Sequence, residues 1–321
     1  MNGLTLLISS VLAGPATFAA GLLLDGPEFS ATNVSIVWNA PTNRWPTNLW
    51  IYKVLPQEFS PQVISNLMAI GSFTLKDRTH IEGQPPFKDK RLLYFANTER
   101  TRHLGIFPPL GWIYYQDERV NLLGKESARG VRTEAEVLEL ALNWLEKLEI
   151  RRDELSTKEG SSELRTYRFV DSRTFFDRTK GEQKREVILR GLSFVRRIDG
   201  VDFTGRGSDG GFTISFGNEG KIVNLDLLWR NLQRERTCKV ISPAELIARI
   251  KRGEATMVPM TAVDLAGVRK LVIHKATPYY LGEGGDTAQE LVFPFAGLEC
   301  TLEFDDKRSA TVGLKCPIIR Q

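Results

Sequence analysis

Residues of the types that most often carry out chemistry are few in this 321-residue chain, which has three histidines and three cysteines. His80, His103 and His274 are too far apart in sequence to share one helical face, and the chain has no His-Glu-x-x-His or Cys-x-x-Cys motif. A protein zinc site needs several such ligands at short, regular spacing. The sequence therefore predicts no metal site and no other cofactor.

Two glycine-rich stretches, at residues 205–207 and 282–286, have the composition of phosphate-binding loops. Neither joins a strand to the start of a helix with the spacing that such loops require, and the Lys-Ser/Thr pair of a phosphate loop is missing. Turns between strands are the better interpretation. The Gly-x-Ser-x-Gly elbow of many serine hydrolases is missing as well, so no catalytic residue is assigned.

Acidic residues offer a further kind of chemistry. Asp171, Asp177 and Glu186 lie near a predicted strand. A glycosidase needs two carboxylates about 5–9 Å apart across a cleft, and spacing in the sequence does not establish such a pair. A solvated polar face is the default interpretation of these side chains.

Aromatic residues form a group that could stack on a sugar or a peptide. Its members are Trp45, Trp50, Trp112, Tyr114 and Tyr115. Aromatic side chains that alternate along strands more often fill a core. A core role is therefore the favoured interpretation, and ligand stacking is the alternative.

Three arginines, Arg190, Arg196 and Arg197, are the candidate interaction surface, because their charge would attract an acidic partner. Arginines in strands also commonly lie along the wet face of a sheet, with their stems over apolar neighbours. The second interpretation is the more common one for such arginines.

The cysteines allow one disulfide. Cys300 and Cys316 lie on two predicted strands joined by the polar turn at residues 305–309, so they could face each other across a hairpin and be oxidised in an exported protein. Two buried thiols are the alternative. Cys238 has no His or Asn placed to activate it and is interpreted as inert.

The best-defined structural element is a helix that begins after Ser242. Ser242 and Glu245 have the spacing of a capping box, and the proline between them occupies the first helical position, where no N–H is needed. Leu246 and Ile250 lie on one apolar stripe, and Gly253 supplies a left-handed stop. The preceding stretch, residues 212–229, alternates apolar and polar side chains around a central turn and predicts a β-hairpin. We expect the helix to cover the apolar side of that hairpin.

Capped helices recur in the chain. They begin at Ser60, Thr133 and Ser242, and extended segments follow each one. Strands that are joined directly by turns favour antiparallel pairing. The predicted fold is therefore α+β, built from tandem modules in which a helix packs on an antiparallel sheet. The linker at residues 124–130 would separate an N-terminal α+β module (21–125) from a C-terminal tandem region (126–321).

The N-terminus has the composition of an export signal. Residues 4–24 are largely apolar, and a signal peptide over residues 1–20 would be cleaved near the small residues at its end, although the usual basic flank is missing. The alternative is a buried N-terminal strand or helix. A transmembrane span is not predicted, because Gly14-Pro15 interrupts the run. The formal charge of +4 is small and dispersed, so nucleic-acid binding is not implied.

The order of elements in the C-terminal half resembles that of a known family. A strand pair (Phe194-Val-Arg-Arg-Ile-Asp-Gly-Val201) precedes a hairpin (Gly211-Phe-Thr-Ile-Ser-Phe, then Gly220-Lys-Ile-Val-Asn-Leu), and a helix (Ile241-Ser-Pro-Ala-Glu-Leu246) follows. This order is similar to the PepSY-like modules of bacterial YycI/YycH-type two-component regulatory proteins, over about the last 190 residues. The resemblance implies an extracytoplasmic, non-enzymatic module that binds or restrains other proteins. Family members usually carry a membrane helix, and this sequence departs from them there.

These observations predict an exported, non-catalytic binding or regulatory protein that acts on another protein or on its own copies. The alternatives are an extracytoplasmic hydrolase that cleaves glycans or peptides with carboxylates, and a carrier of a small ligand. An enzyme is the less favoured interpretation. A cleft with two carboxylates of perturbed pKa would support the hydrolase, whereas an exposed apolar patch would support the binding protein.

Overall fold

The structure is a computed structural model. It describes residues 28–29, 33–43, 45–79, 92–119, 129–177, 182–205, 211–258, 265–282 and 288–319. The predicted signal peptide, and most of the predicted linker and of both glycine-rich stretches, lie outside these residues. Within the described part of the chain, no helix is both long enough and apolar enough to cross a membrane.

The described residues form three α-helices: α1 (Pro61–Ile70), α2 (Glu134–Lys147) and α3 (Pro243–Lys251). Each begins at the predicted residue. The side-chain oxygens of Ser60, Thr133 and Ser242 accept hydrogen bonds from the first helical turn, and the last two residues belong to capping boxes. The predicted helix starts are confirmed.

Strands make up most of the described structure. They are β1 (Glu28–Phe29), β2 (Ser35–Trp38), β3 (Asn48–Leu55), β4 (Leu93–Ala96), β5 (Arg102–Phe107), β6 (Trp112–Asp117), β7 (Thr166–Asp177), β8 (Glu182–Ile198), β9 (Val201–Gly205), β10 (Gly211–Phe216), β11 (Ile222–Leu228), β12 (Asn231–Lys239), β13 (Ala255–Val258), β14 (Val268–Gly282), β15 (Leu291–Val292), β16 (Pro294–Phe304) and β17 (Ser309–Pro317). The mixed α+β class is confirmed, with sheet predominating.

Most of the described strands belong to one large sheet. Its order is β1-β13-β17-β16-β14-β9-β8-β10-β11-β6-β5-β4, with β2 paired to β14 and β7 paired to β8. A smaller sheet has the order β12-β3-β15. The predicted hairpin is confirmed as β10 and β11, which pair antiparallel. β14 also pairs in parallel with β2 and with β9, which the expected antiparallel modules do not include.

Two hydrophobic cores occupy different parts of the fold. The first core lies between helices α1 and α2 and one face of the large sheet; among its buried members are Leu67, Ala141, Leu145, Leu104, Ile113, Leu192, Phe194, Phe212, Ile214, Leu225 and Leu227. The second core includes α3 and the strands at the other end of the large sheet; among its members are Ile51, Leu246, Ile250, Met257, Leu271, Ile273, Leu298, Leu302 and Leu314.

The helix expected over the β10–β11 hairpin is not the one found there. Leu246 and Ile250 of α3 belong to the second core, whereas the hairpin packs in the first core with α1 and α2. The reason is that the chain leaves the large sheet after β11. The next strand, β12, pairs with β3 in the smaller sheet and leads to α3 in the second core. Both cores contain residues from before and after position 125, and the predicted division into 21–125 and 126–321 stays a prediction.

The two cysteines predicted to face each other do not meet. Cys300 lies opposite Val312 and Cys316 lies opposite Ala296 in the β16–β17 pair. Cys316 lies four positions further along β17 than Val312, the residue opposite Cys300. At 3.3 Å per residue this is about 13 Å, far beyond disulfide reach. Both thiols are free and buried, and burial raises the pKa of each to about 12.

Candidate binding surface: the open face of the sheet

One face of the sheet segment β7-β8-β10-β11-β6-β5-β4 packs against the first core, and the opposite face does not. Strand registers place two rows of cross-strand neighbours on this opposite face. The first row is Tyr167, Ser193, Thr213, Asp226, Tyr114, Gly105 and Tyr94, and the second is Phe169, Gly191, Ser215, Asn224, Gln116 and His103. We call these residues, together with the neighbouring pair Phe107 and Trp112, the open face.

Alternation along each strand creates the two faces. In β10, Phe212, Ile214 and Phe216 are buried in the first core, whereas Thr213, which is half-buried, and Ser215, which is 2% exposed, lie between them on the open face. An antiparallel sheet with one solvated face normally shows this pattern, with polar side chains outside. The centre of the open face follows the rule, since β8, β10 and β11 contribute small or polar side chains there.

Strands β4, β5 and β6 break the rule by placing aromatic rings on the open face. The ring centroids of Phe107 and Trp112 are 4.7 Å apart and those of Trp112 and Tyr114 are 5.0 Å apart, with interplanar angles of 25° and 29°. Tyr94 stacks on His103 at 6.1 Å. We call these five residues the aromatic row. Phe107 is 1% exposed, whereas the other four members are only partly buried.

Gly105 provides the space in which the aromatic row packs. A Cβ atom at this position would lie 2.4 Å from Cε2 of Phe107 and 2.4 Å from Cε1 of Tyr114. Such an approach is far inside van der Waals contact. The two rings therefore lean over the glycine, and any side chain at position 105 would push them apart.

Hydrogen bonds fix the polar ends of the row. Trp112 Nε1 donates to Oδ1 of Asp226 at 2.9 Å, and the hydroxyls of Tyr114 and Tyr94 are hydrogen-bonded to each other. Nε2 of His103 lies 2.8 Å from the Arg100 carbonyl, which can only accept, so Nδ1 is free to accept from the Tyr94 hydroxyl at 2.8 Å. Burial raises the pKa of both tyrosines above its usual value. The row is held in one arrangement and its tyrosines stay protonated.

The other aromatic candidates lie elsewhere. Tyr115 points into the first core and is 1% exposed, so the core interpretation is correct for this residue. Trp45 and Trp50 pack against the second core. Trp112 and Tyr114 are thus the two members of the predicted aromatic group that lie together on the open face.

The predicted arginine surface is wrong for Arg196, which is 6% exposed. Its Nε and Nη2 donate to Oε2 of Glu154 at 3.0 and 2.7 Å, its Nη1 donates to the Arg230 carbonyl at 2.6 Å, and its guanidinium lies 4.6 Å from the Trp229 ring centre. Burial lowers the pKa of Arg196 from its usual value. This cation is a structural element in the interior and is not available to a partner.

The remaining arginines of the predicted surface are occupied locally. Nη1 of Arg190 donates to the Arg132 carbonyl just before α2 at 2.9 Å, and Nε of Arg197 lies 3.4 Å from Oδ1 of Asp202. A second buried arginine, Arg230, donates to Oε1 of Gln289 and to the Leu110 carbonyl. Sequence patterns did not single out Arg230, because a lone arginine after a strand is normally exposed.

The carboxylates considered from the sequence lie on β7 and β8, and the side chain of Asp177 is outside the described part of the structure. Glu186 accepts from Arg173 at 3.0 Å across the β7–β8 pair, and Asp171 lies on β7. Among the described residues, no cluster of three or more His, Cys, Asp or Glu side chains could hold a metal ion. A shallow depression of about 390 Å³ lies between Leu281, Gln289 and Phe293 and is lined mainly by apolar side chains.

Comparisons with known proteins give little guidance. No family model and no curated protein matches the sequence. Among solved structures, the chain is similar to an uncharacterized protein from Eubacterium rectale ATCC 33656, with 9% sequence identity over 88% of this chain and 86% of that one and a TM-score of 0.45.

Proposed function

We propose that the protein is an exported, non-catalytic binding or regulatory protein, and that its open face is the surface that contacts a protein partner. The observation that carries this proposal is the aromatic row. Five ring side chains lie on the sheet face that does not pack against the first core, where polar residues are the rule.

The composition and order of this face suit protein recognition. Tyrosine and tryptophan are enriched at protein interfaces because they offer a large contact area with few rotatable bonds. Trp112 and Tyr94 are further restrained by their hydrogen bonds to Asp226 and His103. The side chains of this surface would therefore lose little conformational entropy when a partner binds.

A protein partner fits the geometry better than a glycan does. Sugar rings stack on an aromatic face that is open to solvent, but Phe107, Trp112 and Tyr114 are stacked on one another and direct their faces inward along the row. The small residues Ser193 and Thr213 beside the row bond to each other at 2.8 Å. Because these side chains are small, the surface beside the rings forms a shallow groove that can accept a protruding segment of a partner.

Export and a relationship to the PepSY-like YycI/YycH-type proteins are part of the same proposal. The apolar N-terminal run supports export, and the hairpin of β10 and β11 together with the capped helix α3 supports the family resemblance. Mass spectrometry of the mature protein from its host tests export. An N-terminus near residue 20 is expected, and an intact Met1 on cytoplasmic protein would contradict it.

Site-specific photo-crosslinking tests the binding surface. A photoreactive residue at Gln116, an exposed position on the open face beside the aromatic row, is compared with one at Glu139, an exposed position on α2. Both variants are expressed in the host and irradiated. The proposal predicts a discrete protein adduct from position 116 and none of the same mass from position 139.

The alternatives give different results. Equal adducts from both positions would mean that the open face is not the contact surface. An adduct that is removed by glycosidases and contains no second polypeptide would favour a glycan ligand. Turnover of glycan, ester or peptide substrates that is lost in a single Asp or Glu to Ala variant with unchanged melting temperature would favour the hydrolase.

A further inference from the structure

Strand β7 pairs with β8, and no other described strand pairs with its outer edge. The strand spans 12 residues, which is about 40 Å at 3.3 Å per residue. It contains no proline and no lysine, two residues that proteins use to keep an edge from pairing, and its charged residues are of both signs (Arg168, Asp171, Arg173 and Asp177). The β7–β8 pair contains one bulge, in which Ile188 of β8 has no partner on β7. The extra residue is therefore on β8, and β7 has no bulge of its own in this pair.

The far half of this strand belongs to a two-stranded ribbon. β10 pairs with β8 between Arg190 and Val195, whereas the β7–β8 ladder continues out to the pair of Asp177 and Glu182. Beyond Arg190, back to Glu182, β8 therefore pairs with β7 alone among the described strands, and β7 pairs with β8 alone. A two-stranded ribbon is at best marginally stable in water, and a third strand greatly increases its stability.

Apolar side chains at the middle of β7 are unusually exposed. Phe169 is 39% exposed on the open face and Val170 is 43% exposed on the other face, and they are two of the three large apolar side chains that are prominently exposed in the described structure. The Ser172 N–H donates to the carboxylate of its own neighbour, Asp171, at 2.7 Å. In a new strand pair, a backbone carbonyl of the added strand could replace Asp171 as the acceptor of this N–H.

We propose that β7 pairs antiparallel with β7 of a second copy of this chain, with Ser172 on the two-fold axis. The arrangement of charges selects this occupant and this register. With Ser172 opposite its counterpart, Asp171 of each copy lies opposite Arg173 of the other, so two opposite-charge pairs form by symmetry. If the two-fold axis passed through Asp171 instead, the Asp171 side chains of the two copies would lie opposite each other, which is destabilising.

The proposal extends the function inferred for the open face and does not depend on it. A two-fold axis perpendicular to an antiparallel sheet keeps corresponding faces on the same side. The open faces of the two copies would therefore join into one surface across β7. The dimer would form whether or not a partner binds there, so failure of the crosslinking experiment at Gln116 leaves this proposal standing.

Charge reversal with complementation tests the register. Asp171→Arg places arginines at both 171 and 173, and Arg173→Asp places aspartates at both, so each variant repels its own copies. Mixing the two variants restores both opposite-charge pairs. The matched control is Glu139→Arg, which makes the same charge change on the exposed surface of α2.

Sedimentation velocity on the mature protein, across the micromolar range, provides the measurement. We expect the wild type and Glu139→Arg to dimerise alike, each reversal alone to dissociate roughly tenfold more readily, and the mixture to recover wild-type affinity. Circular dichroism melts identify any variant that does not fold. Because Arg173 also pairs with Glu186, Val170→Lys serves as a second disrupting variant that keeps this ion pair.

Three results would overturn the proposal. The wild type could remain monomeric throughout the concentration range. A dimer could persist in both reversals and in Val170→Lys, which would place the interface elsewhere. Finally, the mixture of folded reversal variants could associate no more tightly than each variant alone, which would rule out the register centred on Ser172.

Discussion

The two faces of the antiparallel sheet around β10 and β11 are built from the same strands but are packed differently. On one face, apolar side chains interlock with α1 and α2 and are almost fully buried. On the other, small polar residues lie beside an aromatic row whose members pack mainly against one another. Aromatic content alone therefore does not identify a core. Tyr114 and Tyr115 are adjacent in β6, but Tyr115 is buried in the first core and Tyr114 lies on the open face.

The largest effect should come from the face under the helices. Ile214→Ala removes a fully buried side chain from the first core and should lower the free energy of unfolding by about 2–5 kcal/mol. Thr213→Ala changes the next residue, on the open face, and removes the hydrogen bond with Ser193 for about 1 kcal/mol. Urea denaturation measures both. If the two variants lost the same free energy of unfolding, the two faces would not differ in their contribution to stability.

The second prediction concerns the cation buried at the border of the first core. Glu154→Gln removes the charge that compensates Arg196 and should cost about 1–3 kcal/mol, less than for a fully enclosed pair because Glu154 is partly exposed. Asp153→Asn is the matched control, since its ion pair with Arg151 is exposed. If both variants unfold at the same urea concentration as the wild type, the pair at Arg196 contributes nothing to stability.

The third prediction addresses the order of the aromatic row. Gly105→Ala forces Phe107 and Tyr114 apart and should cost about 1–3 kcal/mol by overpacking. The fluorescence of Trp112 should change with it, because its stacked neighbours move. Gly297→Ala is the matched control, because it changes another strand glycine at which a Cβ atom would lie no closer than 3.4 Å to any neighbouring atom. Unchanged stability and fluorescence in Gly105→Ala would mean that the row is loosely packed.

The smallest effect is a dependence on pH that originates outside both faces. Hydrogen bonds from the Arg234 guanidinium hold the pKa of Asp199 below its ordinary 3.8. Stability from a carboxylate with a lowered pKa is fully present above the ordinary value and is lost as the pH falls through the lower folded value. Asp199→Asn should therefore lose at most about 1 kcal/mol at neutral pH, because the pair is partly exposed, and this difference from the wild type should shrink in acid. Urea melts in neutral and acidic buffers test it, and a difference that grows in acid would contradict it.

Much of this organisation is visible in the sequence, and the exceptions have physical causes. Helix starts are encoded locally by Ser60, Thr133 and Ser242, and the β10–β11 hairpin by its alternation, so these elements were predicted. β7 and β12 were not, because edge strands with few buried side chains show little apolar alternation. The parallel partners of β14 depend on contacts far apart in sequence.

The candidate surface could be predicted only in part. Trp112 and Tyr114 were recognised as aromatic residues that could contact a ligand, but they alternate with Ile113 and Tyr115, so both faces of β6 look apolar in sequence. Which face the helices cover is decided by α1 and α2, which are distant along the chain. Burial of Arg196 was missed for a related reason: the strand pattern does not reveal Glu154, which compensates its charge.

The most direct test of the central claim is to measure affinity and stability together in one variant of the open face. Asn224→Arg adds a bulky cation at the centre of this face without removing a core side chain, and Glu139→Arg is the control on α2. For the partner identified by crosslinking, calorimetry should show at least about tenfold weaker binding to Asn224→Arg, while its free energy of unfolding stays within about 0.5 kcal/mol of the wild type. Unchanged affinity in a folded Asn224→Arg protein would contradict the assignment of the open face as the binding surface.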